Sequence, residues 1–198
     1  MVKAIIFDLD GVLVDATDWH YEALNKALAV FGLGIGREDH LKTFNGLPTS
    51  KKLLMMNIPT GLHPIIKELK KKYTKEVVDE LCHPDIEKKI MLGELKKKYR
   101  LACCSNAIKE SVVQMLKNAQ IDNYFELILG NDEITNPKPN PEIYLKTFAT
   151  LGLEPTECLI IEDAFYGIKA AQESGARVLA IKEPKDANLG LFQDLGLL

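Results

Sequence analysis

Two carboxylates at alternate positions, Asp8 and Asp10, close the apolar run Ile5-Ile6-Phe7 and are followed at once by Gly11. A short aliphatic run of this kind fits a buried parallel strand. In open α/β sheets, ligands sit beyond the carboxyl ends of such strands. Two acids held there repel each other and are poorly solvated, so the pair implies a compensating cation or proton. The plainer alternative is a loop whose solvated aspartates cap the next helix. Further polar groups follow other strand-like runs: Ser105-Asn106, Lys138 within Thr135-Asn136-Pro137-Lys138-Pro139, and Glu162-Asp163. Alternating prolines exclude helix and predict an extended loop around Lys138. Singly, each group has a local reading, with Ser105 a helix cap, Glu162-Asp163 first-turn acids and Lys138 a surface lysine. Jointly they are the parts of metal-assisted phosphoryl transfer: a nucleophile, an acid/base group, a cation for the phosphoryl oxygens and hard oxygen ligands for Mg²⁺.

Strand-like runs at Ala4–Phe7, Leu101–Cys104, Phe125–Leu129, Leu159–Ile161 and Val178–Ile181 would hold these groups at their carboxyl ends. Helical patterns over Ala107–Ala119, Pro141–Leu151 and Ala164–Ser174 separate the last four, which predicts right-handed βαβ units and a parallel sheet. Asn140-Pro141 marks a helix start, and Gly152 and Gly175 mark helix ends. Between the first and second strands, from Ala16 to about Pro84, the periodicity is helical only. The pieces are a helix starting near Ala16, then Glu38–Phe44, Ser50–Met56, Leu62–Lys72 and Lys75–Leu81. A crossover needs one helix, so this is an inserted helical module, placed by its entry point over Asp8 and Asp10. Excluding water from the reaction centre is the physical use of such a lid. Ile86–Lys98 reads as the helix returning to the sheet. The lysine runs Lys70–Lys72, Lys88-Lys89 and Lys96–Lys98 read as solvated helix faces.

With these motifs in order along the whole chain, the sequence resembles the haloacid dehalogenase-like (HAD) superfamily. Asp8-Leu9-Asp10-Gly11 matches its first motif, Ser105 the second, Lys138 the third and Glu162-Asp163 the fourth. The helical insert resembles the C1-type cap. Gly11–Asp15, His20, Ala23, Lys138-Pro139-Asn140-Pro141, Gly167-Ile168 and Ala170-Ala171 resemble the β-phosphoglucomutase-like branch. The resemblance implies an α/β fold: a doubly wound, Rossmann-like parallel-sheet core from residues 1–15 and 84–198, with a helical cap from 16–83. It implies that Asp8 is the nucleophile, that Asp10 is the acid/base, and that Ser105, Asn106 and Lys138 bind the phosphoryl group. Mg²⁺ would be held by Asp8, the carbonyl of Asp10, Asp163 and, directly or at one remove, Glu162. Dehalogenases of the superfamily need neither the acid at Asp10 nor a metal, so Asp10 and Asp163 argue against dehalogenation.

Substrate choice is expected from the loop Asn45-Gly46-Leu47-Pro48-Thr49-Ser50-Lys51, with Asn45, Thr49 and Lys51 as candidates. His20 is a further candidate, at the cap hinge near Asp10 or packed beside Trp19. Sugar-phosphate mutases of the family carry an arginine in this loop. Here lysines stand beyond Ser50, able to bind phosphate as point charges without the bidentate fork. The leading expectation is a Mg²⁺-dependent phosphatase of a small phosphorylated metabolite, followed by a sugar-phosphate mutase. A receiver-type phospho-acceptor module is a third reading, opposed by Asp10 and by the insert.

Composition adds exclusions. With 46% hydrophobic and 27% charged residues and a net charge of −3, nothing points to nucleic acid or membrane. No apolar stretch reaches bilayer-spanning length, and with a strand expected directly at the start, no signal peptide is expected. Cys82, Cys103, Cys104 and Cys158 lack zinc spacing, so a reduced, cytoplasmic protein is expected, monomeric or weakly dimeric.

Overall fold

A computed structural model describes residues 1–198. Five parallel strands form one sheet in the order β3-β2-β1-β4-β5: β1 Ala4–Phe7, β2 Arg100–Cys104, β3 Leu127–Leu129, β4 Cys158–Glu162 and β5 Arg177–Ala180. The central strand β1 pairs Phe7 with Cys103 on one side and with Ile161 on the other. The chain winds outward through β2 and β3, then restarts beside β1 at β4. The connections leaving β1 and β4 therefore run to opposite faces of the sheet, and a crevice opens between them beyond the strand ends.

Alternate side chains of β1 enter separate cores. Ile5 and Phe7 join Cys103 in the larger apolar cluster, with Met91, Leu92 and Leu95 of α5 (Ile86–Lys96), Val112, Met115 and Leu116 of α6 (Lys109–Asn118), and Phe192 of α9 (Leu189–Asp194). Ala4 and Ile6 join Cys104 in the opposite cluster, with Ile143, Tyr144 and Phe148 of α7 (Glu142–Leu151) and Ala170-Ala171 of α8 (Phe165–Glu173). The period-two alternation that divides these residues is the pleat itself. Burying each large aliphatic or aromatic side chain contributes about 1.5–3 kcal/mol, so both faces of β1 anchor the sheet. All four cysteines are buried free thiols. Gly152 ends α7 in the left-handed conformation, at φ 63°, as its position predicts.

Between β1 and β2 the chain is helical: α1 Thr17–Ala29, α2 Arg37–Asp39 running on into a π-helical turn His40–Phe44, α3 Thr49–Met55 and α4 His63–Leu81. Leu24, Ala27, Leu28, Leu53, Ile58 and Ile66 form a third, separate apolar cluster here. Several details depart from the sequence reading. Leu62–Lys72 and Lys75–Leu81 are one helix, because Tyr73-Thr74 contains no breaker and the face carrying Ile66, Val77 and Val78 is continuous. The third strand is shorter than Phe125–Leu129, because its pairing with β2 begins only at Leu127, opposite Ala102. Lys88 is not solvated: it is 4% exposed and its ammonium donates to the carbonyls of Pro184 and Ala187, tying α5 to the C-terminal segment. No helix is long and apolar enough to cross a membrane.

Candidate active site

Asp8 lies just past β1, and the next residues turn sharply, with Val12, Leu13 and Val14 all donating backbone N–H groups to the Leu9 carbonyl. Gly11 makes that turn possible. Its φ is +83°, and a Cβ there would lie 2.0 Å from Asp163 Oδ2, so any side chain would collide with the acid that follows β4. Gly167 does the same for the neighbouring acid: a Cβ would fall 2.1 Å from Glu162 Oε1. Two backbones thus close directly onto two carboxylates.

Lys138 joins the acids. The loop carrying it turns rather than extends, with a cis Lys138–Pro139 bond and Asn140 N–H donating to the Pro137 carbonyl. Proline ring constraints favour such a turn as readily as an extended segment. The Glu142 carboxylate fastens its start by accepting from the backbone of Thr135 and Asn136. The buried ammonium of Lys138 donates to Asp8 Oδ1 at 2.7 Å, to the Cys104 carbonyl at 2.8 Å and to Glu162 Oε1 at 2.6 Å. All of its donors are used within the protein, so it acts on this site chiefly by fixing Asp8 and compensating charge. Asp8 and Glu162 outweigh burial and hold the lysine well above its ordinary range.

Burial, and Glu162 after it, push the Asp8 carboxyl well up despite Lys138. Burial, Glu162 and Asp10 push Asp163 up to about 7. Asp163 Oδ1 is buried without a hydrogen-bond partner. Asp8, Glu162 and Asp163 each present a ligand oxygen within 4.8 Å of the others. One lysine does not balance these acids, and the all-oxygen donor set with an unpartnered carboxylate oxygen fits a hard divalent cation such as Mg²⁺. The Asp10 carboxylate stays outside this group. It accepts from Ser105 Oγ at 3.2 Å, and His20 Nε2 stands 2.9 Å from its other oxygen. Burial works to raise Asp10, but His20 and Ser105 hold it below the usual carboxylate range. His20 is lowered, by burial above all and despite Asp10. The Nε2 contact with Asp10 is the ring's one hydrogen bond, and Nδ1 is buried without a partner.

Asn106 ties the halves of the site together. Its amide oxygen accepts from Lys138 N, and its amide nitrogen donates to the carbonyls of Lys138 and of Gly46 in the helical insert. Lys71 of α4 reaches Glu110 of α6 at 2.7 Å, a second link across the cleft. The cavity between them is about 340 Å³, with Asp8, Asp10, Lys138, Glu162 and Asp163 at its base. His20, Asn45 and Thr49 line it, whereas Lys51 is exposed and stands outside it. One residue further along α3 is a turn of about 100°, which carries Lys52 inward instead. Lys52 is 4% exposed with its ammonium 3.2 Å from His40 Nε2 and no carboxylate partner. Burial, then Lys70, lowers it to about 7. Lys70 also lines the cavity and is lowered to about 8 by burial, so Lys70 and Lys71 are not simply solvated. His40 and Tyr144 are the residues here that sequence reasoning left without a role, while Lys52 entered it only beside Lys51 as a phosphate-binding lysine and Lys70 only as part of a solvated face. A helical phase anchored on Leu53 and Ile66 would have turned both lysines inward.

Residues 5–181 match the family model for haloacid dehalogenase-like hydrolases. A phosphorylated carbohydrates phosphatase of Thermotoga maritima is 26% identical over 178 residues, covering 88% of this chain and 82% of the relative. A phosphoglycolate phosphatase of Aquifex aeolicus is 31% identical over 178 residues, covering 89% and 83%. Among solved structures, a β-phosphoglucomutase of Clostridium difficile superposes with a TM-score of 0.84 at 23% identity, covering 98% of this chain and 96% of that one. At that identity, the likeness speaks for the fold.

Proposed function

The chain belongs to the haloacid dehalogenase-like hydrolases, and on that footing we propose that it is a Mg²⁺-dependent phosphatase of a small phosphorylated metabolite. The observation that carries this reading is the convergence of Asp8, Lys138, Glu162 and Asp163 beneath a cavity that Asp10 also enters. Asp8, Glu162 and Asp163, with the carbonyl of Asp10, would hold the cation. When bound, it supplies Lewis-acid compensation for the phosphoryl charge.

In the first step an Asp8 oxygen forms a bond to phosphorus as the bond to the substrate's ester oxygen breaks, and Asp10 gives its proton to that leaving oxygen. In the second, the Asp10 carboxylate takes a proton from water, whose oxygen attacks the aspartyl phosphate, releasing phosphate and restoring Asp8. Ser105 and His20 hold Asp10 ionised before substrate arrives. As the phosphoryl group enters, its charge raises the proton affinity of Asp10, which takes a proton from solvent or from the monoanionic phosphoryl group for the first step and is protonated again by the water of the second. Asn106 lines the cavity and would donate its backbone N–H to a phosphoryl oxygen; the Ser105 hydroxyl, given to Asp10 in this structure, would join it only by turning from that carboxylate.

On the helical side of the cavity, buried Lys52 and half-buried Lys70 lack carboxylate partners, and a buried cation without one is costly. This supports a substrate that carries a second negative group away from the phosphoryl end. The Aquifex aeolicus relative, a phosphoglycolate phosphatase by name, is consistent with that. The division into a core of 1–15 and 84–198 and a cap of 16–83 belongs to the same reading.

The test is phosphate release with Mg²⁺ across sugar monophosphates, bisphosphates and phosphorylated carboxylic acids. Release from the doubly charged compounds is expected, with turnover reduced at least roughly 10⁴-fold in Asp8→Asn. Release undiminished in Asp8→Asn would remove the nucleophile assignment. No release from any of them by the folded protein would move the reading to phosphoryl transfer between sugar positions.

A further inference from the structure

Tyr144 takes no part in the steps above, yet it touches both groups that organise them. It stands near the start of α7, six residues beyond Lys138, and is fully buried. Its hydroxyl donates to Glu162 Oε1, the same oxygen that accepts from the Lys138 ammonium. Its ring lies beneath that ammonium, 4.9 Å from nitrogen to centroid, close enough for a cation–π attraction. On the other side, Gly167 leaves no room for Glu162 to swing toward α8. The second carboxylate oxygen has only a long contact with Asp163 N–H, at 3.3 Å. One oxygen of Glu162 is therefore held from below by two donors, while the other is left with capacity to spare.

We infer that Tyr144 is a positioning residue, which fixes the Glu162 carboxylate so that its free oxygen is presented to the cation. This rests on reading Asp8, Glu162 and Asp163 as the Mg²⁺ site. Without the phenol hydroxyl, Glu162 keeps Lys138 as its single strong partner on that oxygen and is free to rotate toward it, away from the cation. Partners that orient a metal ligand in this way typically contribute 10–100-fold to affinity or activity. The ring has a separate effect, since phenylalanine retains the face beneath Lys138 and loses only the hydroxyl.

The experiment is calorimetric titration of Mg²⁺ into the substrate-free protein, comparing wild type, Tyr144→Phe and Phe148→Leu. Phe148 packs in the same apolar cluster, one turn along α7, and its truncation loosens the core without removing a hydrogen bond from Glu162. The expected result is that Tyr144→Phe weakens Mg²⁺ about tenfold, while Phe148→Leu leaves the affinity unchanged and lowers only the melting temperature. Equal affinities for wild type and Tyr144→Phe would overturn the inference and leave the phosphatase reading standing. Equal weakening by both variants would also overturn it, as general softening of the core. Wild-type protein that releases phosphate yet binds no Mg²⁺ would overturn the metal reading and this inference with it.

Discussion

Lys138 and Lys52 are both buried lysines facing one cavity, and they are handled in opposite ways. At the base, Lys138 meets Asp8 and Glu162 and is held above its ordinary range. At the helical end, Lys52 meets only an imidazole nitrogen, and burial lowers it to about 7. At the base Lys138 offsets part of the acids' charge, and the excess of carboxylates is left for a cation. The helical end is left short of negative charge, which the substrate is expected to bring. Preorganisation suits the chemical step, and uncompensated charge suits recognition.

The contrast can be broken most severely at Lys138. Lys138→Met strands two carboxylates together, so metal-free protein should lose about 3–5 kcal/mol of stability. Turnover should drop by roughly 10²–10³, read from denaturant melts and phosphate release. A melt like that of wild type would mean that Lys138 does not offset the charge of the acids at the base. Lys52→Met should separate the two ends. KM is expected to rise about ten- to hundredfold with kcat little changed and stability undiminished, since no carboxylate is orphaned. A fall in kcat at constant KM would place Lys52 in the chemistry instead.

A pH series sharpens the same difference. Lys52 sits near 7 when folded against an ordinary 10.5, so between those values the unfolded chain binds more protons. Stability should therefore rise with pH across that window and be lower beneath it. His40, lowered to about 4 from 6.5, chiefly by burial, adds a rise of the same sign across its own, more acidic window. Denaturant midpoints between pH 6 and 10 should show the upper rise in wild type and a flatter profile in Lys52→Met; parallel profiles would refute it. The smallest effect is expected at exposed Lys51, where alanine should change stability by no more than about 0.5 kcal/mol and leave KM unchanged.

The same two ends differ in how far they could be read from sequence. The base is written locally: an apolar run fixes each strand, and its last residues and the turn after it fix where Asp8, Ser105 and Glu162 emerge. The helical end depends on rotational phase. Lys51 and Lys52 have the same composition and nearly the same position, and only Leu53, buried against Leu28 and Ile66, decides which of them faces inward. Lys70–Lys72 illustrate the same limit: Lys70 lines the cavity, Lys71 crosses to Glu110 and Lys72 is exposed. Lys88 was illegible for another reason, because its carbonyl partners lie almost a hundred residues away.

The unbroken α4 has a mechanical consequence. Near its C-terminal end, Asp79 accepts from Gln114 and Asn118, and Val78 is embedded in the main core. Nine residues earlier stands Lys70, about 13 Å up the axis at 1.5 Å per residue. The helix is therefore a lever with its fulcrum on α6 and its load over the reaction centre. A tilt of about 10° about that fulcrum would carry the Lys70 backbone roughly 2 Å, enough to make or break contact with a bound anion while the sheet beneath stays still.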